Sequence, residues 1–170
     1  MILGMSTATF TFAHVLISLI GIATGFVVVL GLLSGKRLDG WTAIFLASTV
    51  LTSVTGFLFP VEHVMPSHIL GTMSLIVLAV AIFARYPKHL AGGWRRTYVI
   101  TALIAFYFNV FVALVQSFAK IPALKALAPT QKEPPFLVAQ LTVLLIFVVL
   151  TLRATSKFQL SAQTAVAGTR

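Results

Sequence analysis

Apolar residues fall into five long runs, 11–33, 41–59, 68–86, 97–118 and 136–153, separated by stretches that collect proline, glycine and charge. Each run approaches the roughly 20 residues that an α-helix needs to cross about 30 Å of hydrocarbon. The pattern predicts an all-α integral membrane protein with five transmembrane helices in a single transmembrane domain, 1–157. A flexible cytoplasmic tail is expected over 158–170, where Ser, Thr, Ala and Gly occur without apolar periodicity. Between the second and third runs, Pro60 denies a backbone donor and should end one helix, while Ser67 suits the N-cap of the next. The connection from 119 to 135 holds four prolines and reads as an irregular loop with one interfacial turn around Leu124.

Two of the runs open alike. His14-Val15-Leu16 begins a stretch that closes in Lys36-Arg37-Leu38-Asp39-Gly40-Trp41, and His68-Ile69-Leu70 begins one that closes in Lys88-His89-Leu90-Ala91-Gly92-Gly93-Trp94. Such a repeat groups helices one with two and three with four as equivalent hairpins, giving a four-helix core plus a fifth helix. The two imidazoles would then occupy equivalent places about a pseudo-twofold axis. Boundary preferences for Lys, Gly and Trp produce the same likeness without duplication.

Composition agrees with the pattern: 59% of residues are hydrophobic, 9% are charged and the mean hydropathy is +1.04. Cysteine is absent, which excludes disulfides, thiolate metal sites and cysteine nucleophiles. The first ten residues carry no Lys or Arg, so the first run is expected to stay as a membrane helix and not as a cleaved signal. A net charge of +9 does not point to nucleic acid, because the basic residues cluster at the ends of apolar runs. Lys36, Arg37, Arg85, Lys88, Arg95, Arg96, Arg153, Lys157 and Arg170 fall on one side, and Lys120, Lys125 and Lys132 on the other. The positive-inside rule then puts the N-terminus in the periplasm and the C-terminus in the cytoplasm, with Trp41, Tyr86, Trp94 and Tyr98 as an aromatic belt.

Candidate chemistry concentrates in the outer half. On helix one, His14, Ser18, Gly21 and Gly25 share a face, and Gly21 to Gly25 is a GxxxG stripe that admits a neighbouring helix or a flat ligand. Helix three opens with His68 and Gly71, helix four carries Asn109 and Gln116, and helix five has Gln140 in its first turns. Three ligands suit this set. A b-type haem would use His14 and His68 as axial imidazoles against Gly21, Gly25 and Gly71, with Lys120, Lys125 or Lys132 near its propionates. A metal ion would draw on His14, Glu62, His63 and His68. A quinone or other lipid-soluble ligand would take hydrogen bonds from a histidine and Gln116 or Gln140. Against these stands the ordinary role of histidines at membrane-helix ends, as interfacial caps. No hydrolase triad, phosphate loop, Rossmann fingerprint or zinc-protease motif is present, and three carboxylates give acid/base catalysis few candidates.

The strings Gly35-Lys36-Arg37-Leu38-Asp39-Gly40-Trp41-Thr42, Val54-Thr55-Gly56-Phe57-Leu58-Phe59-Pro60, Pro66-Ser67-His68 and Ala128-Pro129-Thr130-Gln131-Lys132-Glu133-Pro134-Pro135-Phe136 give the chain a resemblance across residues 10 to 153. It resembles an uncharacterised family of small bacterial inner-membrane proteins. That resemblance implies a location and no activity. The arrangement is also similar in outline to membrane cytochromes b, but lacks their paired histidines deep in several helices. The expectation is a small membrane redox or ligand-binding subunit with a periplasm-facing histidine site. Its alternatives are a non-catalytic structural or assembly subunit of a larger complex, or a transporter formed as a homo-oligomer.

Overall fold

The computed structural model describes residues 2–60 and 66–167, with side chains described for all of these except 66 and 160–167. The described residues form α1 (Thr7–Leu33), α2 (Asp39–Gly56), α3 (Pro66–Arg85), α4 (Trp94–Lys120), α5 (Pro122–Leu127) and α6 (Pro134–Ala167). Four of these helices, α1, α3, α4 and α6, are long and apolar enough to cross a membrane.

Helix α1 starts at Thr7, earlier than its apolar run, because the Ser6 hydroxyl accepts the Thr9 N–H at 3.1 Å and satisfies one of the first-turn donors. It ends where Gly35 takes a positive φ of 69°. Leu38 also lies in the left-handed region, at φ 43°, and its side chain packs over Gly31, where a Cβ would collide with Leu38 Cδ1. The αL strain at a branched residue is thus offset by a close contact that only glycine permits.

Helix α2 runs back along α1, with Gly21 against Ser48 and Thr49 and with His14 against Thr55. It closes at Gly56, short of Pro60, and the turn is drawn in by Phe57 N–H to Val54 O and Leu58 N–H to Thr55 O, both 3.1 Å. Eighteen residues and six Ser or Thr side chains make it less apolar than its neighbours. Most of those hydroxyls bond carbonyls one turn back, as in Ser48 to Ile44, Thr49 to Phe45 and Thr55 to Leu51.

Ser67 does not cap α3, because Pro66 already occupies its first turn, where the missing N–H is no loss. The interfacial turn expected near Leu124 is α5. Helix α6 continues through Ala167, since the residues past Lys157 include good helix formers and a boundary charge does not itself end a helix.

The hairpins α1–α2 and α3–α4 pack most closely, α2 and α3 join them, and α6 lies against both α4 and α1. The last long helix therefore closes the bundle and is not an appendage. Its Phe147 meets the ring of Phe106 at 5.1 Å, and Phe106 meets Phe45 at 5.8 Å, so one aromatic layer ties α2, α4 and α6 together. Phe118 and Phe136, 5.3 Å apart, set where α6 begins against α4.

At the basic end of the bundle, Arg85 is 2% exposed and donates through Nη2 to Asp39 Oδ1 and to the Arg37 carbonyl. Its guanidinium lies 5.1 Å from the centre of the Tyr98 ring. Tyr98 is fully buried, so it does not belong to the aromatic belt expected from sequence. It is covered by Arg85 and by Phe158 of α6.

Candidate functional site

The end opposite the basic one gathers the predicted residues around the last turn of α2. His14 Nδ1 lies 2.7 Å from Thr55 Oγ1. The Thr55 hydroxyl has one proton, and its own 2.7 Å contact with the Leu51 carbonyl takes it. With that proton on Leu51, Thr55 is the acceptor from His14, an arrangement that puts the imidazole proton on Nδ1 and leaves a lone pair on Nε2. The ring is held edge-on to Phe59 at 5.2 Å and lies beside Gly56, where a Cβ would make an ordinary contact at 3.9 Å from His14 Cε1.

His68 meets a different part of the same segment. Its ring stands 5.5 Å from Phe57, and Phe57 in turn presses on Gly71, whose Cβ would lie 3.1 Å from the Phe57 ring. Each histidine thus meets its own phenylalanine just past the end of α2, His14 from α1 and His68 from α3. Glu62 and His63 lie outside the described residues. Among the described residues, no group of three or more His, Cys, Asp or Glu side chains gathers to hold a metal ion.

The glycine stripe is occupied from within. A Cβ on Gly21 would fall 2.9 Å from Asn109 Nδ2, and one on Gly25 would fall 2.7 Å from the Phe106 ring. Both glycines serve the approach of α4 to α1. Asn109 Nδ2 reaches the Ser18 carbonyl at 3.5 Å, the long limit of a hydrogen bond.

The two glutamines separate. Gln116 is exposed on α4. Gln140 is 8% exposed, and both atoms of its amide are buried without a hydrogen-bond partner among the described residues. An unmet amide in an apolar bundle costs on the order of 1–3 kcal/mol, which makes Gln140 the polar side chain most in want of a ligand or water. Thr52 Oγ1 on α2 is likewise buried and unpartnered.

Lys120 at the end of α4, Lys125 within α5 and Lys132 in the loop that follows are exposed. Near them Glu133 accepts from the Thr130 hydroxyl at 2.8 Å and from the backbone N–H groups of Thr130 and Lys132 at 3.2 and 3.1 Å. Desolvation works to raise its pKa, but these hydrogen bonds outweigh it and hold the carboxyl below the usual range.

Sequence reasoning identified His14 but not its partners. Thr55 belonged to a Ser/Thr-rich helix with no mark to single it out, and nothing in the sequence singled out Phe57 or Phe59 as neighbours of a histidine. The buried Arg85 was concealed by its place at the end of an apolar run, where a basic residue normally marks a membrane boundary. Comparison of the chain with protein-family models, curated proteins and solved structures gives no match.

Proposed function

We propose that the chain is a five-span bacterial inner-membrane protein that acts as a small ligand-binding subunit, with its site at the periplasmic end around His14. The course of α2 supports a fifth crossing: it runs beside α1 from the level of Gly31 to that of His14. The excess of Lys and Arg at the other end supports a periplasmic N-terminus. The observation that carries the reading is the pinned imidazole, its Nδ1 2.7 Å from a Thr55 hydroxyl that also meets the Leu51 carbonyl; we assign the proton to Nδ1, so that Nε2 is the acceptor. A neutral histidine set in this way receives a hydrogen bond from a ligand hydroxyl or donates its lone pair to a metal.

Of the three candidate ligands, a lipid-soluble molecule with a hydroxyl, such as a quinol, fits best. The haem version asked Gly21 and Gly25 to face a flat ring, and their space goes to Asn109 and Phe106. The metal version needs more ligands than His14 and His68 among the described residues. The orphaned Gln140 amide supplies a further donor and acceptor in the same outer half of the bundle.

The test is extraction of lipid-soluble ligands from the purified full chain, beside its optical spectrum. A hydroxyl-bearing ligand that co-purifies with the wild type and is lost in His14→Leu, with helicity unchanged, supports the proposal. Equal ligand content in both proteins overturns it, as does a Soret band that disappears in His14→Leu.

A further inference from the structure

We propose that the groove between α2 and α3 at the basic end is a binding site for an anionic phospholipid, whose acyl chain lies in the groove and whose phosphate rests on the 34–38 turn. The inference uses the membrane reading but not the histidine site. Ala43, Ala47 and Leu51 on α2 and Ile82 on α3 line an open groove of about 480 Å³, and Tyr86 stands at its basic end. Small side chains one turn apart, Ala43 and Ala47, help keep it open. An acyl chain gains affinity there by replacing loose lipid contacts with a shaped apolar wall.

Charge selects the headgroup. Arg85 ties the 34–38 turn to the end of α3 through the Arg37 carbonyl, which brings Lys36 and Arg37 to the same end as Tyr86. Asp39 is the acidic residue of that cluster, and its carboxylate is shared between the buried guanidinium of Arg85 and the Nε of Arg37, 3.5 Å away. One carboxylate stands against Arg85, Arg37, Lys36 and Lys88, so positive charge is in excess there, and Lys36 and Lys88 are exposed without a share in Asp39. Lys88 is held over the rings of Phe83 and Trp94, at 5.4 and 5.6 Å, which fixes its charge close to the surface. Basic residues near an anionic leaflet contribute about fivefold each in affinity. A zwitterionic lipid offers no net charge to this patch.

The full chain in nanodiscs tests this directly. Phosphatidylglycerol or phosphatidylcholine with brominated acyl chains is added at equal mole fraction, and quenching of tryptophan fluorescence is read in the wild type and in Tyr86→Trp, which places an indole on the groove itself. Deeper quenching by the brominated phosphatidylglycerol is expected, reduced about fivefold in affinity by Arg37→Gln and abolished by Ala47→Phe, which fills the groove. The wild-type comparison needs no variant to fold. Equal quenching by the two lipids overturns the proposal. Absence of quenching by either overturns it too, and would mean that a second copy or another protein covers the groove. Unchanged lipid selectivity in a folded Ala47→Phe protein places the anionic contact elsewhere and rejects the groove.

Discussion

Gly25 of α1 lies so close to Phe106 of α4 that a β-carbon there would stand 2.7 Å from two carbons of the ring. Phe106 cannot yield easily, because Phe26, Phe45 and Phe147 hold it edge-on at 5.0, 5.8 and 5.1 Å. Gly25→Ala should therefore destabilise the fold by about 1–3 kcal/mol through overpacking, in place of the small gain that Gly→Ala brings to an open helix position. Gly40, with nothing near its Cβ, is the control. Thermal unfolding in detergent should lower the midpoint for Gly25→Ala and leave Gly40→Ala close to wild type. Equal midpoints would show that the α1–α4 contact is looser than described.

The hydrogen bond between His14 and Thr55 makes a separate prediction about protonation. With Thr55 Oγ1 committed to Leu51, the neutral His14 ring should be the Nδ1–H tautomer, which is the less common one in water. Nitrogen-15 spectra of histidine-labelled protein should show a protonated Nδ1 for this residue. Thr55→Val removes the acceptor at nearly constant volume, and the same residue should then revert to a mixture of tautomers. A wild-type spectrum with Nε2 protonated would reverse the donor and leave no acceptor for a ligand.

The long helices were legible because hydrophobic length is a property of the chain itself. Local hydrogen bonds within 27 residues of α1 or α4 do not depend on what packs outside them. The site was only half legible, because its second half is made by packing. Asn109 and Gln116 share a helical face by spacing, yet the first is buried against Gly21 and the second is exposed. Gln116 lies two turns nearer the bundle's end, where α2 has stopped at Gly56. Spacing gives an azimuth, and only the neighbours decide whether that azimuth meets protein. Arg85 shows the same limit from the other side: its position in the sequence is that of a boundary residue, and its burial depends on Asp39, Arg37 and Tyr98, which sequence periodicity does not bring together.

Glu133 should report acid-induced release of the loop that precedes α6. Its folded pKa lies below the usual value because the hydrogen bonds from Thr130 and Lys132 outweigh desolvation. A depressed carboxylate pKa stabilises the closed loop at pH values above the unfolded pKa, and that contribution is lost as pH falls through the folded value. The amide of Thr130 should therefore shift and exchange faster with solvent only as pH falls below the ordinary carboxylate range. Glu133→Gln should remove the pH dependence. A transition at or above the ordinary carboxylate range would contradict the three hydrogen bonds.

Arg85 and Asp39 supply the sharpest energetic test, because the guanidinium is buried and the carboxylate is not: the two side chains are 1% and 71% exposed. Asp39→Asn leaves a buried cation with weaker compensation beside an Nη1 that already has no partner among the described residues. The full cost of breaking a buried pair is about 3–5 kcal/mol, and the solvent open to Asp39 reduces it here to roughly 2 kcal/mol. Arg85→Met removes the buried charge itself while keeping much of the side-chain volume, so it should cost less than Asp39→Asn. In Arg85→Met the second change, Asp39→Asn, should add almost nothing, since the charge it would strand has gone. Unfolding of the four proteins in one detergent closes this double-mutant cycle. Additive losses would mean that Asp39 stabilises the start of α2 through its own first turn and not through Arg85.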